Sequence, residues 1–329
     1  MEFQGKALYN LVRISWLEEP SIVVEPWQVE DLRSASLETL FARLETLGIE
    51  LSPEAFLVHA EESQDPEELI DHLYDGVLED AGYEQSYLLI FELWRRLLPQ
   101  KFALSVFCDE LDWRIYLYDR ELLSQEHLQE VISDLEDLLD ESVDNGAEPK
   151  EIFLTLESFC AHDLERFLYD YATGLIDGGE DLDASELIDE FYIYIEKTNW
   201  FDFLRARLLA PVDLEESVLV LERLLLQLEE EPDVDLLFEI TTYLVTQGDP
   251  ALFQRCIKLL MTLIDDEEKF QALVKLVVEY FCCLDLDTHH KSAQEFLSQR
   301  QNRSLDAPVD ASDFKSIYLL LENSQGKKI

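Results

Sequence analysis

The chain has 329 residues, and 72 Asp and Glu oppose 25 Lys and Arg, for a formal net charge of −47. Apolar residues make up 47% of it, with only 10 Gly and 10 Pro. This composition excludes a mainly disordered chain, a collagen and a small disulfide scaffold. The negative charge also excludes direct nucleic-acid binding, because phosphate contacts need a positive surface.

Helix starts are the clearest local signals along the chain. An N-cap side chain accepts a hydrogen bond from the first turn, and Pro suits the next position because its missing N–H is not needed there. This pattern predicts starts at Ser52-Pro53, Asp65-Pro66 and Asp249-Pro250. Capping boxes are predicted at Asp65/Glu68, Asp183/Glu186, Asp213/Glu216 and Asp265/Glu268. Gly48 and Gly248 are predicted to end helices.

Apolar spacing supplies the rest of the helix assignment. Segment 128–141 predicts an amphipathic helix whose apolar face carries Leu128, Val131, Leu135, Leu138 and Leu139. Segment 191–195 alternates like a strand, but the apolar residues before it favour a helix. Residues 21–26 suggest a short extended link, and residues 300–311 a polar loop before a last short helix.

Residues 213–284 show the clearest repeat. Helices are predicted near 213–230, 233–247, 250–264 and 266–283, so helix pairs recur every ~34–37 residues. Segment 218–228 is apolar on nearly all sides, which predicts a helix buried between neighbours. The predicted fold is all-α, with antiparallel helix pairs stacked as an α-solenoid-like helical-repeat array. The pattern matches no particular repeat family.

Three regions are predicted: an acidic helical region at 1–121, a helical-repeat region at 122–299, and a polar loop with a terminal helix and tail at 300–329. One continuous domain is the alternative. No apolar run is long enough to span a membrane, and the first residues lack the pattern of a secretory leader. We therefore expect a soluble cytoplasmic protein with reduced, packed cysteines.

The acidic residues are segregated along the chain. No Lys or Arg lies between Arg43 and Arg95, although this stretch holds 14 acids. Two more base-free stretches follow, at 121–149 with ten acids and 167–196 with nine. Self-repulsion on this scale needs a cationic partner, counter-ions or a large core to offset it. The predicted partner-binding residues are Glu61, Glu62, Asp65, Glu67, Glu68, Asp71, Asp75, Glu79 and Asp80.

Aromatic residues lie beside acids at several places. Tyr and Trp near carboxylates suit a groove for Lys- or Arg-bearing peptides, through ion pairs and cation–π contacts. Ordinary helix packing is the alternative reading of each cluster. The clusters are Trp113/Tyr116/Tyr118, Tyr169/Tyr171, Tyr192/Tyr194 and Trp200/Phe201/Phe203.

Motifs for catalysis or metal binding are weak. His and acidic residues at helical spacing pair at His59/Glu62, His72/Asp75, His127/Glu130 and His162/Glu165, but chance pairs are expected in so acidic a chain. Cys282, Cys283, His289 and His290 are zinc-ligand types, yet adjacent helical cysteines diverge by about 100°. We expect packed cysteines, an exposed His pair, and neither a cofactor nor a metal.

The sequence therefore favours a non-enzymatic interaction module, either an adaptor or a chaperone-like protein. It would present an acidic, aromatic-containing helical surface to a basic protein or peptide. Two alternatives stay open: a nucleic-acid mimic that occupies a DNA- or RNA-binding protein, and a metal-binding protein or enzyme using carboxylate and His pairs. Acidity that serves solubility alone is a further alternative. The sequence leaves the oligomeric state open.

Overall fold

The computed structural model describes residues 3–74, 80–247 and 249–324. In this part of the chain it contains 17 α-helices, two short 3-10 helices and no strand. The all-α prediction is confirmed. The first helices are α1 Ala7–Glu18, α2 Leu37–Thr46, α3 Pro53–Glu62, α4 Pro66–Leu73, α5 Asp80–Leu97, α6 Leu104–Asp119, α7 Gln125–Asp144 and α8 Pro149–Ser158. The others are α9 Leu164–Gly178, α10 Asp181–Phe191, α11 Thr198–Leu209, α12 Leu214–Glu230, α13 Val234–Gln247, α14 Pro250–Leu263, α15 Glu267–Cys283, α16 Asp287–Ser298 and α17 Ala311–Ser324.

The chain divides into two compact units. Unit 1 comprises Met1–Tyr171 with Asp189–Glu196, and unit 2 comprises Ala172–Ile188 with Lys197–Ile329. Each unit has a buried apolar core of its own. Across the described residues, every helix is too short or too polar to cross a bilayer.

In unit 1, one core cluster is built from α2 to α5. Its largest members, Phe56, Phe91 and Trp94, are fully buried. Helix α5 supplies an unbroken buried run from Tyr87 to Phe91, because other helices cover it on more than one side. This packing fixes α3 and α4, which carry the predicted partner-binding residues.

Most predicted helix caps are confirmed. Ser52, Asp65, Asp213 and Asp249 each accept a backbone N–H from the first turn of their helix. Gly48 has φ +89°, and the next residue donates back to Leu44 O, as a C-terminal glycine cap requires. Gly248 lies outside the described residues.

Two predicted caps are wrong. Helix α10 begins at Asp181, so Asp183 lies inside the helix. Helix α15 is capped by Asp266, which accepts from Lys269 N, one residue later than predicted. At α15 the two adjacent acids Asp265 and Asp266 precede the helix, and either of them can serve as the cap.

The apolar face of α7 is confirmed. Leu128, Val131, Leu135 and Leu139 are buried, and Leu138 is half-buried. Helix α10 ends at Phe191, and Tyr194 N donates to Phe191 O in the turn that follows. The strand-like alternation at 191–195 is therefore a helix end and a turn.

Unit 2 contains the repeat. Helices α11–α12, α13–α14 and α15–α16 pack as consecutive pairs, and α13 also packs on α15. The first helices of these pairs begin at residues 198, 234 and 267, so the period is 36 and then 33 residues. Connections of two to four residues make each pair antiparallel. The predicted stacking of helix pairs is confirmed.

The prediction for segment 218–228 is wrong in one respect. Helix α12 packs against α11 and α14, and Leu221, Leu224 and Leu225 are buried. Leu219 and Leu226 on the opposite side are half exposed, at 50% and 55%. Although α12 carries apolar residues on nearly all sides, neighbouring helices bury only one of those sides.

The C-terminal segment of unit 2 is held by a buried charge cluster. Arg300 Nε donates to Glu267 Oε1 at 2.9 Å, and Arg300 Nη1 lies 2.7 Å from Asp313 Oδ1. The guanidinium also stacks over Phe270, 4.4 Å from the ring centre. Arg300 and Glu267 are almost fully buried. This cluster fixes the loop 299–310 and α17 to α15.

A titration prediction arises at Glu157, the buried residue near the end of α8. Burial, together with the charges of Asp163 and Glu165, raises its pKa to about 6. Because the folded pKa lies above the ordinary value, folding is favoured at low pH, and this contribution is lost as pH rises from about 4.5 to 6.

We therefore expect Glu157→Gln to remove this pH dependence. The free energy of unfolding of the variant relative to the natural protein should rise by about 2 kcal/mol between pH 4.5 and 7. Urea unfolding followed by circular dichroism across this range measures the difference. Glu151→Gln, an exposed change on the same helix, is the control. A constant difference across the range would contradict the assignment.

Candidate interaction site

The predicted partner-binding residues begin at the C-terminal end of α3. Glu61 and Glu62 are exposed there. Lys101 Nζ donates to Ala60 O at 2.6 Å and to Glu61 O at 3.3 Å, so a cation satisfies the last carbonyls of the helix. This contact fixes the backbone at the end of α3, from which the two exposed carboxylates project.

The next three acids have structural roles. Asp65 caps α4 through Glu68 N at 2.7 Å, and Glu68 accepts from Gln64 N. Glu67 accepts from Tyr87 Oη at 2.6 Å and from Ser105 Oγ at 3.0 Å. Burial raises the pKa of Glu67, although both hydrogen bonds favour its charged form. These carboxylates serve the fold of unit 1 before any partner is considered.

The remaining predicted acids lie partly inside and partly outside the described residues. Asp71 is exposed and accepts from Tyr83 Oη at 2.7 Å. Asp75 and Glu79 lie outside the described residues, and Asp80 is the first residue of α5. Of the nine predicted residues, Glu61 and Glu62 are the exposed pair without a side-chain partner in the described part of unit 1.

Unit 1 is the more acidic of the two units. It has 43 Asp and Glu against 11 Lys and Arg, which gives it a net charge of −32. Eight of these bases form ion pairs with acids of unit 1 itself. Lys101 binds backbone carbonyls, and Arg120 stacks over Tyr116. Most Lys and Arg side chains of unit 1 are therefore engaged in contacts within the unit, and most of its described acids have no basic partner there.

The exposed side of α7 is a strongly acidic surface of unit 1. Its exposed residues include seven acids, and no Lys or Arg lies on this helix. Glu136, beside them, is partly buried; burial raises its pKa, and the nearby carboxylates of Glu190 and Asp140 raise it further. Crowding of like charges is therefore already felt by a side chain of unit 1. The seven exposed acids are Glu126, Glu130, Asp134, Asp137, Asp140, Glu141 and Asp144.

A cleft between α1 and α6 contains basic side chains that surround a buried acid. Lys6 Nζ and Arg33 Nη2 each lie 2.6 Å from a carboxylate oxygen of Asp109, which is buried. Asn10 Nδ2 bridges Asp109 and Asp112 at 3.0 and 3.1 Å. Burial alone would raise the pKa of Asp109, but the charges of Lys6 and Arg33 outweigh it and hold that pKa below its ordinary value.

Trp113 and Tyr116 line the same cleft and stack on each other, with ring centres 5.5 Å apart. Arg33 lies 5.1 Å from the ring centre of Trp113, and Arg13 lies 5.9 Å from it. The cations that the sequence assigned to a partner peptide are thus supplied here by the chain itself. At this cluster, internal packing is the correct reading.

The other aromatic clusters also make internal contacts. Tyr169 and Tyr171 are buried, Tyr194 Oη donates to Asp140, and Trp200 Nε1 donates to Asp233 Oδ2 at 2.9 Å. Tyr118 packs edge to face on Tyr171, Tyr192 is half-buried, and Phe201 and Phe203 are buried in unit 2. Tyr194 and Trp200 beside acids therefore mark internal hydrogen bonds, and the other residues of these clusters mark internal packing.

In three of the four predicted His and acid pairs, the His contacts a different residue. His162 Nδ1 lies 2.8 Å from Asp112 Oδ1, while Glu165 accepts from Glu196 N. His127 contacts Ser124 Oγ, and His72 contacts Ser63 Oγ. Within the described ranges, no three His, Cys, Asp or Glu side chains are placed to hold one metal ion.

The expectation for the cysteine-rich end of α15 is wrong. Cys282 and Cys283 are exposed, whereas His289 and His290 are half-buried and His289 packs on Phe281. Both cysteines fall in the last turn of α15, beyond the side that packs on its neighbours. Cys108, Cys160 and Cys256 are buried, as predicted.

The cluster around Asp109 was missed at the sequence level. Its signal is the pair Asp109 and Asp112, two acids one turn apart on α6, whose neighbours Cys108, Leu111 and Ile115 are all buried. An acid on the buried side of a helix requires a partner, because an isolated buried charge is costly. The partners come from distant positions, which the sequence does not identify.

No family model matches this chain, and comparison with curated proteins and with solved structures likewise finds no match.

Proposed function

We propose that the protein is a non-enzymatic interaction module whose acidic helical surface binds a basic protein or peptide. The observation that carries the proposal is the charge of unit 1. Its net charge is −32, and most of its bases are already engaged in contacts within the unit. A cationic partner would relieve the repulsion among the exposed carboxylates and would be attracted over a distance.

The surface assigned to the partner begins at Glu61 and Glu62. The contact of Lys101 fixes the backbone at the end of α3, and the exposed acids of α7 add to the negative charge of the same unit. Within the described part of unit 1, both carboxylates are free of internal partners, so a basic partner can pair with them without breaking a contact of the unit. The expected partner is therefore a basic surface that binds in a salt-sensitive manner.

Affinity capture from a cell extract tests the proposal. The immobilised protein is compared with immobilised polyglutamate, and both are eluted with stepwise salt and analysed by mass spectrometry. A basic protein that saturates this chain but not polyglutamate supports the proposal. Retention of the same proteins by both materials contradicts it. If the specific partner binds DNA or RNA, and nucleic acid displaces it, mimicry replaces the adaptor role.

A charge-reversal experiment then locates the surface. Glu61→Lys with Glu62→Lys is expected to lower the association rate of the captured partner by about tenfold at low salt, with less effect on dissociation. Glu67 and Glu68 are left unchanged because they serve the fold. The association rate is measured by stopped-flow fluorescence.

The matched control is Glu239→Lys with Glu279→Lys. Both residues are exposed on unit 2, and the change in net charge is the same. The control should slow association much less than the variant at Glu61 and Glu62. Equal rates for the two variants would contradict the assignment to the end of α3.

A further inference from the structure

Helix α12 exposes two leucines at a regular spacing. Leu219 and Leu226 are seven residues apart, so they lie on one side of the helix, two turns apart. Val212, seven residues earlier in the preceding turn, is also exposed. The core of unit 2 is served by the other apolar side of the same helix, through Leu221 and Leu225. The exposed leucines are therefore surplus to the packing of unit 2.

Acidic rows flank these leucines. Glu215, Glu222 and Glu229 follow the same seven-residue spacing on one side, and Glu216, Arg223 and Glu230 lie on the other. Glu229 pairs with Arg255 at 2.7 Å, and Glu216 pairs with Arg223 at 3.2 Å. Among the described residues of unit 2, no Lys, Arg or His forms an ion pair with Glu215, Glu222 or Glu230.

We propose that this face of α12 docks an amphipathic helix of a partner, with an apolar seam and Lys or Arg along both edges. Exposed leucines two turns apart, with charged rows beside them, form a narrow apolar strip that the apolar face of an amphipathic helix can cover. This inference rests on the proposed function, because it takes the partner to be basic.

Charge complementarity selects this occupant. A second copy of the chain would bring the same glutamate rows against those of α12, and like charges in contact are unfavourable. Acidity serving solubility alone gives no reason for leucine at positions 219 and 226. A basic amphipathic helix satisfies both features, because it covers the leucines and neutralises the unpaired carboxylates.

The test uses a synthetic helical peptide of about 21 residues, with Leu at both seam positions of each heptad and Lys at the flanking positions. A scrambled peptide of the same composition is the control ligand. Binding is measured by fluorescence anisotropy at ~150 mM salt, where surface charges are screened beyond about 8 Å. The patterned peptide is expected to bind at least ~10-fold more tightly than the scrambled one.

The matched variants separate the docking face from general acidity. Leu219→Gln with Leu226→Gln should weaken the patterned peptide about tenfold. Leu122→Gln with Leu182→Gln, which changes two leucines that are 70% exposed elsewhere, should not. Glu215→Lys with Glu222→Lys should weaken the Lys-flanked peptide and strengthen a Glu-flanked one. This reversal cannot come from loss of folding.

Two results would overturn the inference in different ways. Unchanged affinity of the Leu219 and Leu226 variant, with binding that stays salt-sensitive, would remove the docking face and leave the proposed function intact. Failure of both peptides to bind even at low salt would contradict the proposed function as well.

Discussion

Replacing Glu267 by alanine is expected to lower the free energy of unfolding of unit 2 by about 3–5 kcal/mol. The change leaves the guanidinium of Arg300 buried without its main counter-charge. Burial of Asp313 would raise its pKa, but the hydrogen bond and charge of Arg300 lower that pKa below its ordinary value. The cluster therefore stabilises the fold at neutral pH, and this contribution is lost as pH falls through the folded pKa of Asp313.

Two measurements check this expectation. Urea unfolding followed by circular dichroism gives the loss of stability, and hydrogen exchange shows whether α17 and the loop before it open first. Arg303→Ala is the control, because Arg303 is 44% exposed and its ion pairs should be worth less than about 1 kcal/mol. The double change Glu267→Leu with Arg300→Met should cost less than Glu267→Ala alone, since neither of the two fully buried charges remains. A loss below about 1 kcal/mol for Glu267→Ala would contradict the role of the cluster.

Replacing Asp109 by alanine is expected to cost unit 1 about 3–5 kcal/mol. Lys6 and Arg33 both lie 2.6 Å from this carboxylate, so its loss leaves two partly buried cations facing each other. Because Lys6 and Arg33 lower the pKa of Asp109, the carboxylate stabilises unit 1 at neutral pH. This contribution is present above the unfolded pKa and is lost as pH falls through the lowered folded pKa of Asp109.

Unfolding followed by tryptophan fluorescence measures this effect, since Trp113 lines the same cleft. Glu110→Gln is the control: Glu110 pairs with Arg33 and Arg114 but is 34% exposed, so the change should cost about 1 kcal/mol or less. The difference between the two variants should disappear in acid, where Asp109 is protonated in the natural protein. Equal losses at neutral pH would contradict the central place of Asp109 in the cluster.

The candidate surface was only partly readable from the sequence. The run from Glu61 to Asp80 looks uniform, yet Asp65, Glu67 and Glu68 are engaged by caps and hydrogen bonds within unit 1. The cap of Asp65 is local, so the sequence predicts it. The partners of Glu67 come from α5 and α6, and no local pattern points to them.

The aromatic residues show the same limit. Trp113 beside acidic residues suggested a site for a cation from a partner. Arg13 and Arg33, which are remote in sequence, occupy that position in the folded chain. Leu219 and Leu226 illustrate the converse, because an apolar segment expected to be fully buried has one side left uncovered.

The sequence by itself determined the all-helical fold, most helix starts and the repeat of unit 2. Caps, helix periodicity and turn residues act within a few positions of one another, so their effects can be read locally. Tertiary structure alone decided which carboxylates are used internally, where the cations lie and which side of α12 stays exposed. Those outcomes depend on contacts between residues far apart in the chain, where burial decides whether a charge needs a partner.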